Sequence, residues 1–205
     1  SDASFEPQQK APARVGLVVF SERLRKPVGL TAVVSQENLA ALRVRKQQIT
    51  QVETMASALI LEHLPQVLEN VDASWFIDNS GGEAGLISGY SSAEDSACML
   101  GVVHITLADL NWRTWWEHVP SEVNPSDGLS RDGLLDAWSR AHSWDLFEVG
   151  IPDLSGLVGL PLDEILRHFS QDLSKVPSTE IRDAPVSCIA PTVTPAAAEV
   201  LSLIH

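Results

Sequence analysis

Two acidic side chains stand inside segments whose patterning otherwise calls for burial, and any fold for this chain must accommodate them. From Gln48 to Leu64 the apolar residues Ile49, Val52, Ala56, Leu59, Ile60 and Leu64 recur with the 3.6-residue period of an amphipathic helix. Glu53 lies within that stripe, one turn from both Ile49 and Ala56. Val71 to Ile77 reads as a strand, and Asp78 closes it at its C-terminal end, the edge where open α/β sheets keep their sites. A carboxylate taken out of water is costly unless it is protonated, hydrogen-bonded or set against positive charge. Two further acids join these: Asp2 in Ser1-Asp2-Ala3-Ser4, and Asp127 in the loop-like stretch Val119 to Arg131. Together they form the order D, E, D, D. Should the four converge, their mutual repulsion requires cations between them, and a pair of divalent metal ions meets that need.

The remaining patterning predicts an α/β chain. Val15 to Phe20 and Val28 to Val34 read as strands joined by a turn at Arg23 to Pro27. Gln36 to Arg45 is expected to form a short helix capped by Ser35, and Pro65 to end the helix that carries Glu53. After the strand ending at Ile77, Asn79 to Gly82 turn into a helix over Glu83 to Ser88. Ser91-Ser92-Ala93-Glu94 has the form of a capping box opening the helix of Cys98, Leu100, Val103, Ile105 and Leu107. Arg113 to Val119 is an aromatic strand, and one helix is expected from Asp127 through Leu134, Leu135 and Trp138. The order β-β-β-α-β-α-α-β-α, with a truncated first strand, predicts a mixed sheet flanked by helices.

The chain of 205 residues divides into a domain over 1–150 and an extension over 151–205. In the extension, Leu162, Ile165, Leu166, Phe169 and Leu173 predict one amphipathic helix, and the stretch 176–198, rich in Pro, Ser, Thr and Ala, predicts poor order. Asp2 lies so close to the start that the chain reads as a piece of a longer polypeptide. There is no apolar run of membrane-spanning length and no signal-peptide pattern. Cys98 and Cys188 stand without ligand spacing. Together these predict an intracellular protein, in cytoplasm or nucleus, that is not secreted.

The net charge of −13 argues against gripping nucleic acid by bulk electrostatics. Residues 1–46 nevertheless hold 8 of the 14 Lys and Arg against 4 acids. A small basic face beside an acidic site would suit a polyanion.

Four stretches carry a resemblance. Ser1-Asp2-Ala3-Ser4 resembles a first-strand D-A/G-S; Gln51-Val52-Glu53-Thr54-Met55-Ala56 resembles q-x-E-l-x-A; Phe76-Ile77-Asp78-Asn79-Ser80 resembles F-x-D-N/S; and Val119 to Arg131 resembles V-P-S-x-x-N-x-A-D-x-L-S-R. In this order they are similar to the ribonuclease H domain of retrotransposon reverse transcriptases, over residues 1 to about 131. That resemblance implies a ribonuclease H-like fold with a five-stranded mixed sheet. It also implies a two-metal-ion endonuclease that hydrolyses the RNA strand of RNA–DNA hybrids, as one part of a polyprotein containing a polymerase domain. Asp2, Glu53, Asp78 and Asp127 would be catalytic residues and ligands of two Mg²⁺ ions, with Mn²⁺ a possible substitute. Carboxylates suit these hard cations, which would activate a water and stabilise the leaving 3′ oxygen.

Thr50, Gln51, Asn79, Ser80 and Asn124 are candidate substrate contacts. Where cellular relatives carry a histidine before the last aspartate, this chain has Glu122; His118 is nearby and is expected on the strand. Trp112, Trp115 and Trp116 are expected in sheet and core rather than stacked on bases. Ser80-Gly81-Gly82 lacks the lysine of a phosphate-binding loop. Two other functions compete. An inactive, connection-type domain supporting a polymerase would have no reason to keep four buried like charges. An integrase-type nuclease uses the order D, D, E, whereas Glu53 comes second here.

Overall fold

The computed structural model describes residues 1–6, 13–42 and 48–151. Its strands are β1 (Asp2–Phe5), β2 (Ala13–Val19), β3 (Val28–Val33), β4 (Asp72–Ile77), β5 (Arg113–His118) and β6 (Asp145–Glu148). Its helices are α1 (Gln36–Ala41), α2 (Ile49–His63), α3 (Pro65–Leu68), α4 (Ser80–Ser88), α5 (Glu94–Asp109), α6 (Asp127–Arg131) and α7 (Ala137–Ala141), with 3₁₀ turns at Ser121–Val123 and Gly133–Leu135. The class is mixed α/β, with a mixed sheet and flanking helices. The predicted helix and disordered stretch beyond residue 151, and so the whole extension, lie outside the described residues.

The strands do not form one five-stranded sheet. They form a four-stranded sheet in the order β1-β2-β3-β6 and a separate parallel pair β4-β5. β1, β2 and β3 are antiparallel neighbours, and β6 runs parallel to β3. Where β1 comes alongside β4, one main-chain hydrogen bond spans the gap: the Ser1 amino group donates to the Phe76 carbonyl at 2.7 Å. A ladder needs successive donors and acceptors on both strands, and this junction supplies one pair.

Alternation along β1 to β3 sorts the side chains onto two faces. Val15, Leu17, Leu30 and Ala32 turn toward the core that α2 covers. Gly16 and Gly29 turn to the opposite face, where α6 lies. A β-carbon on Gly16 would stand 2.7 Å from both the Ser126 carbonyl oxygen and the Ser130 nitrogen, so glycine permits this close approach. Thr31 on that face donates its hydroxyl to the Leu129 carbonyl at 2.9 Å and ties α6 to the sheet.

α2 is the central helix and is buried on nearly every side, including its polar residues Gln51, Thr54 and Ser57. It touches β1 and β2, α4 and α5. On the far side of the core Trp75, Trp112 and Trp116 form a tilted aromatic stack, with ring centroids 5.2 and 5.5 Å from Trp75. Trp115 departs from expectation: it points to the other face of the β4-β5 pair and is 69% exposed.

Three local expectations change. The single helix predicted from Asp127 is three pieces: α6, a 3₁₀ turn and α7. Gly133, at a positive φ of 59°, and the Asp136 cap on Trp138 and Ser139 break it. The capping box at Ser91 does not form, because the Ser91 hydroxyl takes the Ala93 N–H and α5 starts at Glu94 without a side-chain cap. β6 was not foreseen.

Candidate metal centre

The site gathers at the C-terminal end of β4, beside the start of β1. Asp78 follows Ile77 directly, at the point where β4 turns into α4. Asn79, not Asp78, is the helix cap, its side-chain oxygen accepting the Gly82 N–H at 2.9 Å. Asp78 therefore does not serve as the cap of α4.

Asp2 is placed by the residue before it. The Ser1 carbonyl accepts from the Asn124 side-chain amide at 2.9 Å, and the Ser1 hydroxyl accepts from the Trp75 indole at 2.9 Å. The Asp2 side chain turns toward the α6 face, where the Ser130 hydroxyl meets it. That hydroxyl is also 2.9 Å from the Asp127 carbonyl; with one proton, it donates to one partner at a time. Glu53 reaches the same point from α2, accepting from the Ala3 backbone N–H.

Three of the four predicted carboxylates converge. Asp2, Glu53 and Asp78 each offer an oxygen, and these oxygens all lie within 4.8 Å of one another. Asp2 is 4% exposed and Glu53 6%, while Asp78 is half-buried. Glu53 Oε2 and Asp78 Oδ1 are buried and have no hydrogen-bond partner. Burial, reinforced by the charge of Asp78 and then of Asp2, pushes the Glu53 carboxyl up to about 9. Burial raises Asp2 to about 7, the Ser130 donor opposing the rise and the charge of Asp78 adding to it. Burial lowers the Ser1 amino group to about 6, against the pull of the same acids.

Asp127 is not part of that trio. It opens α6 at the lip of the site, half-buried, and its carboxylate is held by Arg131 one turn on, at 2.8 Å. It remains near enough for its charge to raise Asp2.

The donor set fits a hard divalent cation. All three residues are carboxylates, and Glu53 Oε2 and Asp78 Oδ1 lack hydrogen-bond partners. A second ion has no such ready-made set, because its fourth ligand is committed to Arg131.

The candidate substrate contacts separate into two groups. Thr50 and Ser80 stay at the rim: Thr50 is half-buried and donates to Asn79 at 3.4 Å, and Ser80 is exposed at the first turn of α4. Asn79 lies between them. Gln51 and Asn124 are corrected to interior positions. Gln51 is fully buried and donates to Asp95 on α5. Asn124 is buried, with its oxygen accepting from the Ser126 backbone and hydroxyl at 3.1 and 2.9 Å. Asn124 therefore pins the loop before α6 to β1. Glu122 lies exposed on the 3₁₀ turn, and His118 is exposed at the end of β5. Ser130 and Arg131 were not singled out, although their spacing of three and four from Asp127 puts all three on one helical face. No protein-family model matches the chain, and comparison with curated proteins and with solved structures returns no match.

Proposed function

We propose that this chain is a divalent-metal-dependent endonuclease that hydrolyses the RNA strand of RNA–DNA hybrids, as part of a reverse transcriptase polyprotein. One observation carries the reading: Asp2, Glu53 and Asp78, from three elements far apart in sequence, bring carboxylate oxygens within 4.8 Å of one another, and Glu53 Oε2 and Asp78 Oδ1 are buried without a hydrogen-bond partner. Nothing in the packing of a fold calls for such a group, and a bound cation relieves it. The ribonuclease H-like motif order supplies the substrate class.

Asp2, Glu53 and Asp78 would hold the first cation, and Asp127 would contribute to a second. When bound, such ions offset charge building on a phosphodiester and acidify an attacking water. Hydrolysis breaks the P–O3′ bond, leaving a 5′-phosphate on one product, and the proton goes to the 3′ oxygen of the other. The residues of this chain contribute placement. Ser130 and the Ala3 N–H orient Asp2 and Glu53, and Asn79 and Thr50 form a polar rim where a sugar–phosphate strand would pass. The width of a hybrid and the 2′-hydroxyls of its RNA strand would distinguish it from duplex DNA.

A second reading has one observation in its favour. Asp127 is engaged by Arg131 and stands apart from the trio, as it would in a connection-type domain that supports a polymerase without cleaving. A labelled hybrid incubated with Mg²⁺ separates the two. The enzyme reading expects cleavage of the RNA strand, with Asp78→Asn slower by at least about a hundredfold. Equal rates in the two proteins, or no cleavage by either, would leave only the supporting role.

A further inference from the structure

Asp127 and Arg131 lie one helical turn apart on α6, and the guanidinium grips a single carboxylate oxygen. Nε and Nη2 of Arg131 each stand 2.8 Å from Asp127 Oδ1. The side chains are 32% and 63% exposed, so the pair forms the lip of the site. A surface pair with this spacing is weak and readily exchanged. Its surroundings are unusual, because Asp2 and Asp78 also act on the guanidinium and favour its charged form. Beneath it, Glu53 Oε2 and Asp78 Oδ1 have no donors. The four acids thus form two tiers: three converge beside the Ser1 amino group, and the fourth is gripped directly by Arg131.

We propose that the Asp127–Arg131 ion pair is a latch on the metal centre. With the pair closed, the centre holds one divalent cation on Asp2, Glu53 and Asp78; Asp127 becomes available to a second only as Arg131 leaves it. This rests on the metal-centre reading above and adds an order of events to it. A guanidinium and a cation compete for Asp127 Oδ1. A phosphodiester entering the cleft offers the planar guanidinium an alternative bidentate partner. Substrate docking therefore draws Arg131 away and frees Asp127, so nucleic acid and second cation each strengthen binding of the other. Arg131 is a positioning residue until the phosphate arrives.

Titration of the metal-free chain with Mn²⁺, free ion followed by electron paramagnetic resonance, tests the latch without reference to activity. Wild type, Arg131→Gln, Asp127→Asn, their double variant and Asp78→Asn are compared. The wild type should show one tight and one weak ion. Arg131→Gln should strengthen the weak ion by roughly fivefold, more than it strengthens the tight one. Asp127→Asn should remove the weak ion and spare the tight one, and the double variant should match Asp127→Asn. Equal shifts of both ions in Arg131→Gln, no shift of either, or two tight ions in the wild type would overturn the latch. So would an Asp127→Asn variant that loses the tight ion. Should Asp78→Asn leave the tight ion unchanged, the metal-centre reading itself fails.

Discussion

Glu53 is a cost to the fold and, on the proposed function, a ligand of its metal centre. Its carboxyl is raised from 4.5 to about 9, and that of Asp2 from 3.8 to about 7. Both groups bind protons more tightly in the folded than in the unfolded chain, so their contribution to stability is complete below the unfolded values. It is lost as pH rises through the folded ones. In chelator, the melting temperature should therefore fall between about pH 5 and about pH 7, the Ser1 amino group, lowered from 8.0 to about 6, opposing the fall above pH 6. Glu53→Gln should flatten that fall, and Mn²⁺ should reverse it in the parent chain. A melting temperature that rises over this interval in chelator would show that the acids are not buried together. At this scale Glu53 and Asp78 were legible because each interrupts an apolar pattern. Gln51 was misassigned because it sits two positions from Glu53, roughly 200° around the helix, and so faces α5 rather than the site. Ser130 and Arg131 were passed over because polar residues on a short helix carry no periodic signal; only their partners give them roles.

Among elements, the contact that aligns the site is α6 against the sheet. It requires Gly16, whose missing side chain lets the Ser126 carbonyl and the Ser130 nitrogen approach the strand. Gly16→Ala would push backbone against a β-carbon, which no rotamer can relieve, so α6 must move. The expected cost is about 1–3 kcal/mol of stability, together with weaker Mn²⁺ binding as Ser130 withdraws from Asp2. Gly150→Ala, where a β-carbon meets nothing within 4 Å, serves as the control and should leave both unchanged. Denaturation and Mn²⁺ titration of the two variants check this; an unaltered Gly16→Ala protein would mean α6 does not position Asp2. Elements with long apolar periods, such as α2, β2, β3 and α5, were legible in the sequence. β6 was not, because Asp-Leu-Phe-Glu is too short and too exposed to show alternation, and its pairing to β3 is set by the tertiary fold. The division of the strands into two sheets was equally hidden, since it depends on a junction of one main-chain hydrogen bond.

At the scale of the whole molecule the proposed function poses an electrostatic problem: a chain of net charge −13 would have to hold a polyanion. Two of the four described basic residues near its start, Arg14 and Arg23, are tied into the fold, while Arg25 and Lys26 are exposed. Arg14 pairs with Glu148 at 3.1 Å, and Arg23 donates to the carbonyls of Gln66, Val67 and Glu69 at the end of α3. Both are committed to holding the fold together. On the proposed function, attraction for a hybrid would come chiefly from cations at the acidic centre, assisted by Arg131 once it is released. Hybrid binding, followed by fluorescence anisotropy, should be undetectable in chelator and should appear with Ca²⁺, whose looser coordination favours holding the substrate. A logarithmic plot of affinity against monovalent salt should then have a shallow slope, of magnitude below about 2, because few Lys or Arg side chains release counterions. Arg43, Arg45 and Lys46 lie outside the described residues, and three such contacts would add roughly 2.7 to the slope. A steep slope, or binding that persists in chelator, would place that cluster on the nucleic acid and take the principal role in docking away from the metal centre.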